Sequence, residues 1–554
     1  MSARLIPASS AILSWVAPST PYFVIARLAA ATICGLRSSL RSRRPMGCLR
    51  PDLLIASARS YIVSVVKLFE AIAGPEDGGL MSATAQESPA VEGSFRRVLK
   101  LRHLVAFGLA YLAPTVVFNY YGIATTATGG MMALAYLITM SAMFFTAYSY
   151  AQMVKAYPIA GSAYSYVQRS VNPWFGFGTG WIMLLDYLLL PMICYLLFGV
   201  YMNEYVPFVP VWGWVVIAAA FGATINILGA RISGRLNVIV VSAQILFCVF
   251  LVGLIVTFVV NRDGAGGLLV PQAILDVARV DGGGLLWAAS ILAVSFLGFD
   301  AVSTLAEEAE EPRKNVPRAV LIVCLGAGAA FALISYFLQL AWPTAYRDLA
   351  DPDVGVFELL QRLGGDALGL TFFVTDQSAT ILAAMAAIAA VSRLLYTMGR
   401  DRILPQRFFG RLSPRFGTPV NNILLTSAIA LTAIFYADNL FGAASLTSFG
   451  AVTGFIMVNV AVIGHYFIRE RRRSGGDVLR FLVMPLAGIA INVVLWIGID
   501  THAKLLGLAW LGVGVIYLGV ISRGFRSYPR PIREEDASED AADHVSSPNS
   551  TLTP

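Results

Sequence analysis

Charged side chains make up only 13% of this 554-residue chain, against 57% hydrophobic. That scarcity excludes an ordinary soluble domain, in which about a quarter of residues are charged. The five cysteines show no CxxC spacing, so neither a thiol redox motif nor a cysteine metal site is expected. The four histidines, His103, His465, His502 and His544, are scattered and form no HExxH. Metal-dependent hydrolysis therefore has no support. A GxxxxGK[ST] stretch is also missing, which excludes a P-loop ATPase as the energy source. No cofactor is implied and no enzyme activity is expected.

What the chain does have is long apolar runs. The mean hydropathy is +0.70, and the runs approach the ~20 residues that a spanning helix needs. They fall at about 104–128, 131–153, 174–203, 212–229, 235–260, 286–306, 318–342, 369–398, 421–437, 443–467, 479–499 and 502–522, here spans 1 to 12. The expected fold class is an all-α polytopic membrane protein. The net charge of +7 could point to nucleic acid, but the basic residues sit in short loops, where membrane orientation accounts for them. Lys155, Arg169, Arg231, Arg235, Arg313, Lys314 and Arg318 share one face with the cluster Arg400 to Arg415 and the cluster Arg469 to Arg480. The other face holds Arg262, Arg279, Arg347, Arg362 and Lys504. With an even number of spans, both termini are expected in the cytoplasm.

Residues 1–97 read as an N-terminal extension without a span and are expected to be disordered. Its first acidic residue is Asp52, and Met81 is read as the native start. Residues 98–525 are expected to form one domain of twelve spans, and 526–554 a disordered cytoplasmic tail.

The most informative stretch is WAASILAVSFLGFDAVSTLAEE, residues 287–308. It reads as a span yet carries Gly298 and Asp300 at its middle. Glycine weakens a helix by about 1 kcal/mol relative to alanine, and a carboxylate near the bilayer centre costs about 2.5–3.5 kcal/mol on insertion scales. A discontinuous helix, open near Phe296 to Phe299, reconciles both. Span 1 carries Pro114 at its middle and is expected to break too. Interruptions at matching positions of two five-helix units point to an inverted-repeat transporter. Asp186, near the middle of span 3, is a candidate proton carrier or partner for a cationic substrate. Asp376 lies a few residues into span 8, where a site residue and a solvated helix end are both open readings. Tyr120, Tyr121, Phe296, Phe299 and Phe449 could form an aromatic wall over an ammonium group.

The segments AYPIAGSAYSYVQRSVNPWFGFGTGW (156–181), SFLGFDAVSTLAEEAEEPRKNVPRAV (295–320), SRLLYTMGRDRILP (392–405) and LTSFGAVTGFIMVNVAVI (446–463) resemble successive signatures of the amino acid, polyamine and organocation permease superfamily. LLDYLLLPMICYLLFGVYM and NILGARISGRLN most resemble the bacterial putrescine importers. The resemblance implies twelve spans, a LeuT-like five-plus-five inverted repeat with discontinuous spans 1 and 6, and alternating access. It also implies a plasma-membrane location and a substrate held between the breaks, with help from spans 3, 8 and 10. In this chain those positions are Ala113, Pro114, Thr115, Asp186, Phe296, Gly298, Phe299, Asp300, Asp376 and Phe449. Many members place a Gly-Ser-Gly type sequence at the first break, where this chain has Ala113, Pro114 and Thr115.

The expected function is secondary import of an organic cation such as putrescine, by proton symport. Amines need carboxylates, and no basic residue lies among the candidate positions. Asp186 and Asp300 could titrate. Ser378, Thr380 and the carbonyls near Ala113 could instead frame sodium. An amino acid permease, its substrate carboxylate held by helix N-termini, and a non-transporting sensor on the same scaffold remain the alternatives.

Overall fold

The computed structural model describes residues 99–159, 162–228, 234–400, 404–413, 416, 418–437, 440–522 and 524. Met81, most of the N-terminal extension and the C-terminal tail lie outside the described residues. Residues 99–359 with 373–524 form one unit. The other is represented by 360–372, helical except at Gly365, whose φ of 67° interrupts the turn.

Among the described residues, 10 helices are long and apolar enough to cross a membrane. Val211–Ile227 and Val420–Tyr436, at spans 4 and 9, are shorter apolar helices. At 1.5 Å per residue each is about 26 Å long, close to the ~30 Å of a hydrocarbon core. Such helices present apolar side chains outward because lipid is their solvent. Phe221, Leu333, Ile497, Ile516 and Val520 are accordingly exposed.

Helices in lipid gain nothing from hiding apolar surface from one another, so small residues that permit close approach decide how they pack. Span 2 (Met132–Ala156) lies along span 7 (Pro312–Ala341), where Gly328 receives Met140; a Cβ there would sit 2.6 Å from Met140 Cγ. Span 3 (Pro173–Tyr205) lies along span 10 (Leu440–Val462), where Gly454 receives Met183.

Both expected breaks are present. Span 1 is helical over Leu101–Leu112, leaves the helix at Ala113 (φ 51°, ψ 95°), and resumes as the short turns Val116–Asn119 and Tyr121–Ala127. Proline supplies the reason: it lacks the donor for the preceding turn and pushes the residue before it out of the α region. Span 6 is helical over Gly282–Leu292, tightens to a 3₁₀ turn at Ala293–Phe296, opens at Leu297 and Gly298, and continues as 3₁₀ over Ala301–Leu305. Gly298 has φ 128°, a region open to glycine and strained for other residues.

The two breaks lie against each other. A Cβ on Gly298 would stand 2.9 Å from Tyr111 Cδ1 and 3.1 Å from the Leu112 nitrogen. Beyond the breaks the same spans meet again: Leu99 N–H donates to the Glu308 carbonyl at 3.0 Å, and Glu310 N–H donates to the Leu99 carbonyl at 2.9 Å.

Gly298 therefore has two independent reasons to be glycine. Gly298→Leu is expected to insert and reach the membrane but to lose uptake. Gly298→Ala should retain a fraction and lose about 1–3 kcal/mol of stability from backbone strain. Uptake normalised to membrane-inserted protein, with thermal unfolding in detergent, checks both; wild-type uptake by the leucine variant would sink the account.

Candidate functional site

The span-1 break presents Thr115, which is fully buried. Its backbone N–H donates to Gln244 Oε1 of span 5 at 3.1 Å, and its hydroxyl lies 3.2 Å from the same oxygen and 2.7 Å from Asp376 Oδ1 of span 8. Gln377 Nε2 donates to Asp376 Oδ2 at 3.1 Å, and Asn119 and Thr380 complete the shell of neutral donors around this carboxylate. Asp376 is only 1% exposed. The reading of a solvated helix end is thereby corrected: the helix that carries Asp376 begins after the break at Gly365, and the carboxylate is buried among donors from spans 1 and 8.

The span-6 break presents Asp300, 2% exposed, whose Oδ1 accepts the Gly298 N–H at 3.1 Å. A carboxylate two residues after an opened amide satisfies that amide locally, in the manner of a short polar residue at a helix start. Asp300 thus serves the backbone of its own break.

Asp186 behaves differently. It is 3% exposed, and its Oδ1 has no hydrogen-bond partner among the described residues. Asp300 lies within its electrostatic reach, as do Tyr111, Tyr150 and Tyr187. The Tyr150 ring stands edge-on to Phe299 at 5.9 Å, and Phe299 contacts Phe455 at 5.3 Å. Asp186, Asp300 and Phe299 are therefore brought together. No ion pair among the described residues involves Asp186, Asp300 or Asp376.

Other candidates go elsewhere. Phe296 packs against Phe331 at 5.8 Å and Tyr136 at 6.4 Å, between spans 2 and 7. Phe449 packs against Trp496 of span 11 at 5.9 Å and against Gly507 of span 12. Tyr120 and Tyr121 are each 1% exposed.

Three features were missed from the sequence. Pro191 lies inside the span-3 helix, and its missing N–H removes the bond that the Tyr187 carbonyl would otherwise accept, one residue from Asp186. Its place in the middle of an apolar run was the available signal. Gly450 lets span 10 touch span 3 at the carboxylate itself: a Cβ would sit 3.0 Å from the Asp186 nitrogen and 3.1 Å from the Ile182 carbonyl. Gln244 carried no signal beyond being a polar side chain in an apolar span. It borders a cavity of about 40 Å³ shared with Phe107 and Tyr111 of span 1, Leu190 of span 3 and Ala383 of span 8, room for about three waters at ~10–15 Å³ each.

Broken helices around buried carboxylates suit a carrier. A family model described as amino acid permease matches residues 103–503. The chain belongs to the amino acid permease family. The permease is 37% identical over 445 residues to the low-affinity putrescine importer PlaP of Escherichia coli K12, covering 80% of this chain and 97% of that protein. It is 26% identical over 449 residues to the branched-chain amino acid permease BcaP of Lactococcus lactis, covering 76% of this chain and 93% of that one. A methylthioribose transporter of Bacillus subtilis is 25% identical over 457 residues, covering 79% and 94%. The permease is thus a multi-pass transporter of the plasma membrane, not an enzyme.

Since Gly450 meets backbone rather than a flexible side-chain tip, Gly450→Val should overpack the seam between spans 3 and 10. A loss of about 1–3 kcal/mol is expected, read as a lower midpoint of thermal unfolding in detergent, with Gly450→Ala falling between that variant and wild type. An unchanged midpoint for the valine variant would show that the seam is loose.

Proposed function

We propose that this permease imports a small organic dication such as putrescine by alternating access, coupled to proton entry. The two shorter apolar helices count as spans 4 and 9, giving twelve spans, with spans 1–5 and 6–10 as inverted repeats. The bias of basic residues toward one set of loops supports cytoplasmic termini. Of the ten candidates, Ala113, Pro114, Gly298, Phe299 and Asp300 are kept for the substrate site, with Asp186 receiving an ammonium group; Phe296 and Phe449 pack against Phe331 and Trp496 instead, and Thr115 and Asp376 bond to each other away from it.

The observation that carries this reading is how the polar groups of the two breaks are partnered. An amino acid carboxylate would need free backbone amides. Pro114 has none, Thr115 N–H is given to Gln244, Val116 N–H to the Ala113 carbonyl, and Gly298 N–H to Asp300. Acceptors are what remain: Asp186 Oδ1 is unpartnered among the described residues, and Pro191 leaves the Tyr187 carbonyl without its helical donor. An ammonium group brings three donors and no acceptor, which matches that deficit. Similarity to the putrescine importer PlaP supports the same substrate class.

Uptake into proteoliposomes with putrescine, cadaverine, spermidine, arginine, glutamate and neutral amino acids as competitors tests the substrate. Diamines should compete best; competition by neutral amino acids alone would overturn the proposal, and saturable binding without accumulation would mark a sensor. Asp186→Asn keeps shape and removes charge. A desolvated hydrogen bond to a charged group is worth about 1.5–3 kcal/mol, so the dissociation constant for putrescine should rise about tenfold to a hundredfold. Unchanged affinity would remove Asp186 from the site.

A further inference from the structure

We propose that Asp376, Thr115 and Gln244 form the proton-coupling site of this permease, separate from the ammonium-binding Asp186. The inference rests on the reading of proton-driven import and assigns its proton to a place.

Thr115 has one hydroxyl hydrogen and two acceptors in reach, Asp376 Oδ1 at 2.7 Å and Gln244 Oε1 at 3.2 Å. A hydroxyl can donate to only one of them at a time. With Asp376 ionised, the hydrogen points to the carboxylate. When Asp376 takes up a proton, the new O–H donates to Thr115 Oγ, and the threonine hydrogen turns to Gln244 Oε1. That oxygen already accepts the Thr115 N–H, and its second lone pair accepts the hydroxyl. One proton is bound, none is lost, and no heavy atom needs to leave hydrogen-bonding range. The outcome of titration on span 8 is thus read on span 5 through the broken segment of span 1.

The surroundings suit a proton better than a fixed counter-ion. The titratable groups facing Asp376 are Cys194 and Tyr201 of span 3 and Cys248 of span 5, none charged at neutral pH. The carboxylate's partners are neutral donors from spans 1 and 8, and Gln377 Oε1 beside it is buried without a partner among the described residues. The cavity bordered by Gln244 and Tyr111 leaves room for water beside one end of the relay.

The test uses proteoliposomes holding the full chain, with putrescine as probe at zero membrane potential. With one proton per substrate, a gradient of one pH unit supports about tenfold accumulation. Wild type should accumulate putrescine and also exchange labelled for unlabelled putrescine without any gradient. Asp376→Asn and Thr115→Val should exchange but lose accumulation, and Thr115→Ser, which restores the hydroxyl, should recover it. On acidification a protonated-carboxyl infrared band should appear in wild type and be absent from Asp376→Asn. Gradient-driven accumulation at the wild-type level in Asp376→Asn would overturn the assignment while leaving proton-driven import intact. Loss of exchange in both variants would make the cluster part of the substrate site and overturn it as well. Wild type that exchanges putrescine but concentrates it only down a sodium gradient would instead defeat the proton reading itself.

Discussion

A backbone amide opened inside a bilayer cannot turn to water, and the organisation of this permease follows from where such amides find partners. Two helices are interrupted in mid-membrane, one at Ala113 to Thr115 and one at Leu297 to Gly298. Each interruption exposes N–H and C=O groups that would cost about 1–3 kcal/mol apiece if left unmade. The first break is satisfied from outside its own helix, by Gln244. The second is satisfied from within, by Asp300. That difference makes the span-1 break a junction of three helices and the span-6 break self-contained.

The breaks were legible because each rests on a local backbone rule. Proline withholds a donor wherever it falls, and a glycine followed two residues later by aspartate inside an apolar run has few uses in a continuous helix. The pairing of Thr115 with Gln244 and Asp376 was not legible, since it joins residues 129 and 261 positions apart and no periodicity encodes a contact at that separation. Asp376 stayed open between a site residue and a solvated helix end for a related reason: its helix begins only after Gly365, and what decides the matter is the shell that Thr115 and Asn119 of span 1 add to its own neighbours Gln377 and Thr380.

Aromatic side chains show the same limit from another side. Phe296 and Phe299 flank the same glycine, yet one packs between spans 2 and 7 and the other joins Tyr150 and Phe455. Three residues of opened backbone are enough to turn neighbouring rings toward different clusters. Composition marks such residues as ring-bearing, but the torsions at Leu297 and Gly298 decide which ring approaches the carboxylates. Only Phe299 does so, through its edge contact with Tyr150.

Three buried carboxylates with no ion pair among the described residues are hard to maintain unless each is handled differently, because charge in a medium of low dielectric is disfavoured in proportion to how poorly it is solvated. Asp300 is solvated by a backbone amide and Asp376 by neutral side chains. Asp186 retains a buried oxygen without a partner among the described residues. An ammonium ligand or a proton would supply the partner that oxygen lacks. A dication delivers donors and charge together to carboxylates that no ion pair among the described residues engages. If the proposed relay binds its proton at Asp376, the two cations need not compete for one carboxylate, and the broken segment of span 1 touches the relay while its neighbour Tyr111 faces Asp186. Coupling then requires only that this one segment move differently according to which of the two is filled.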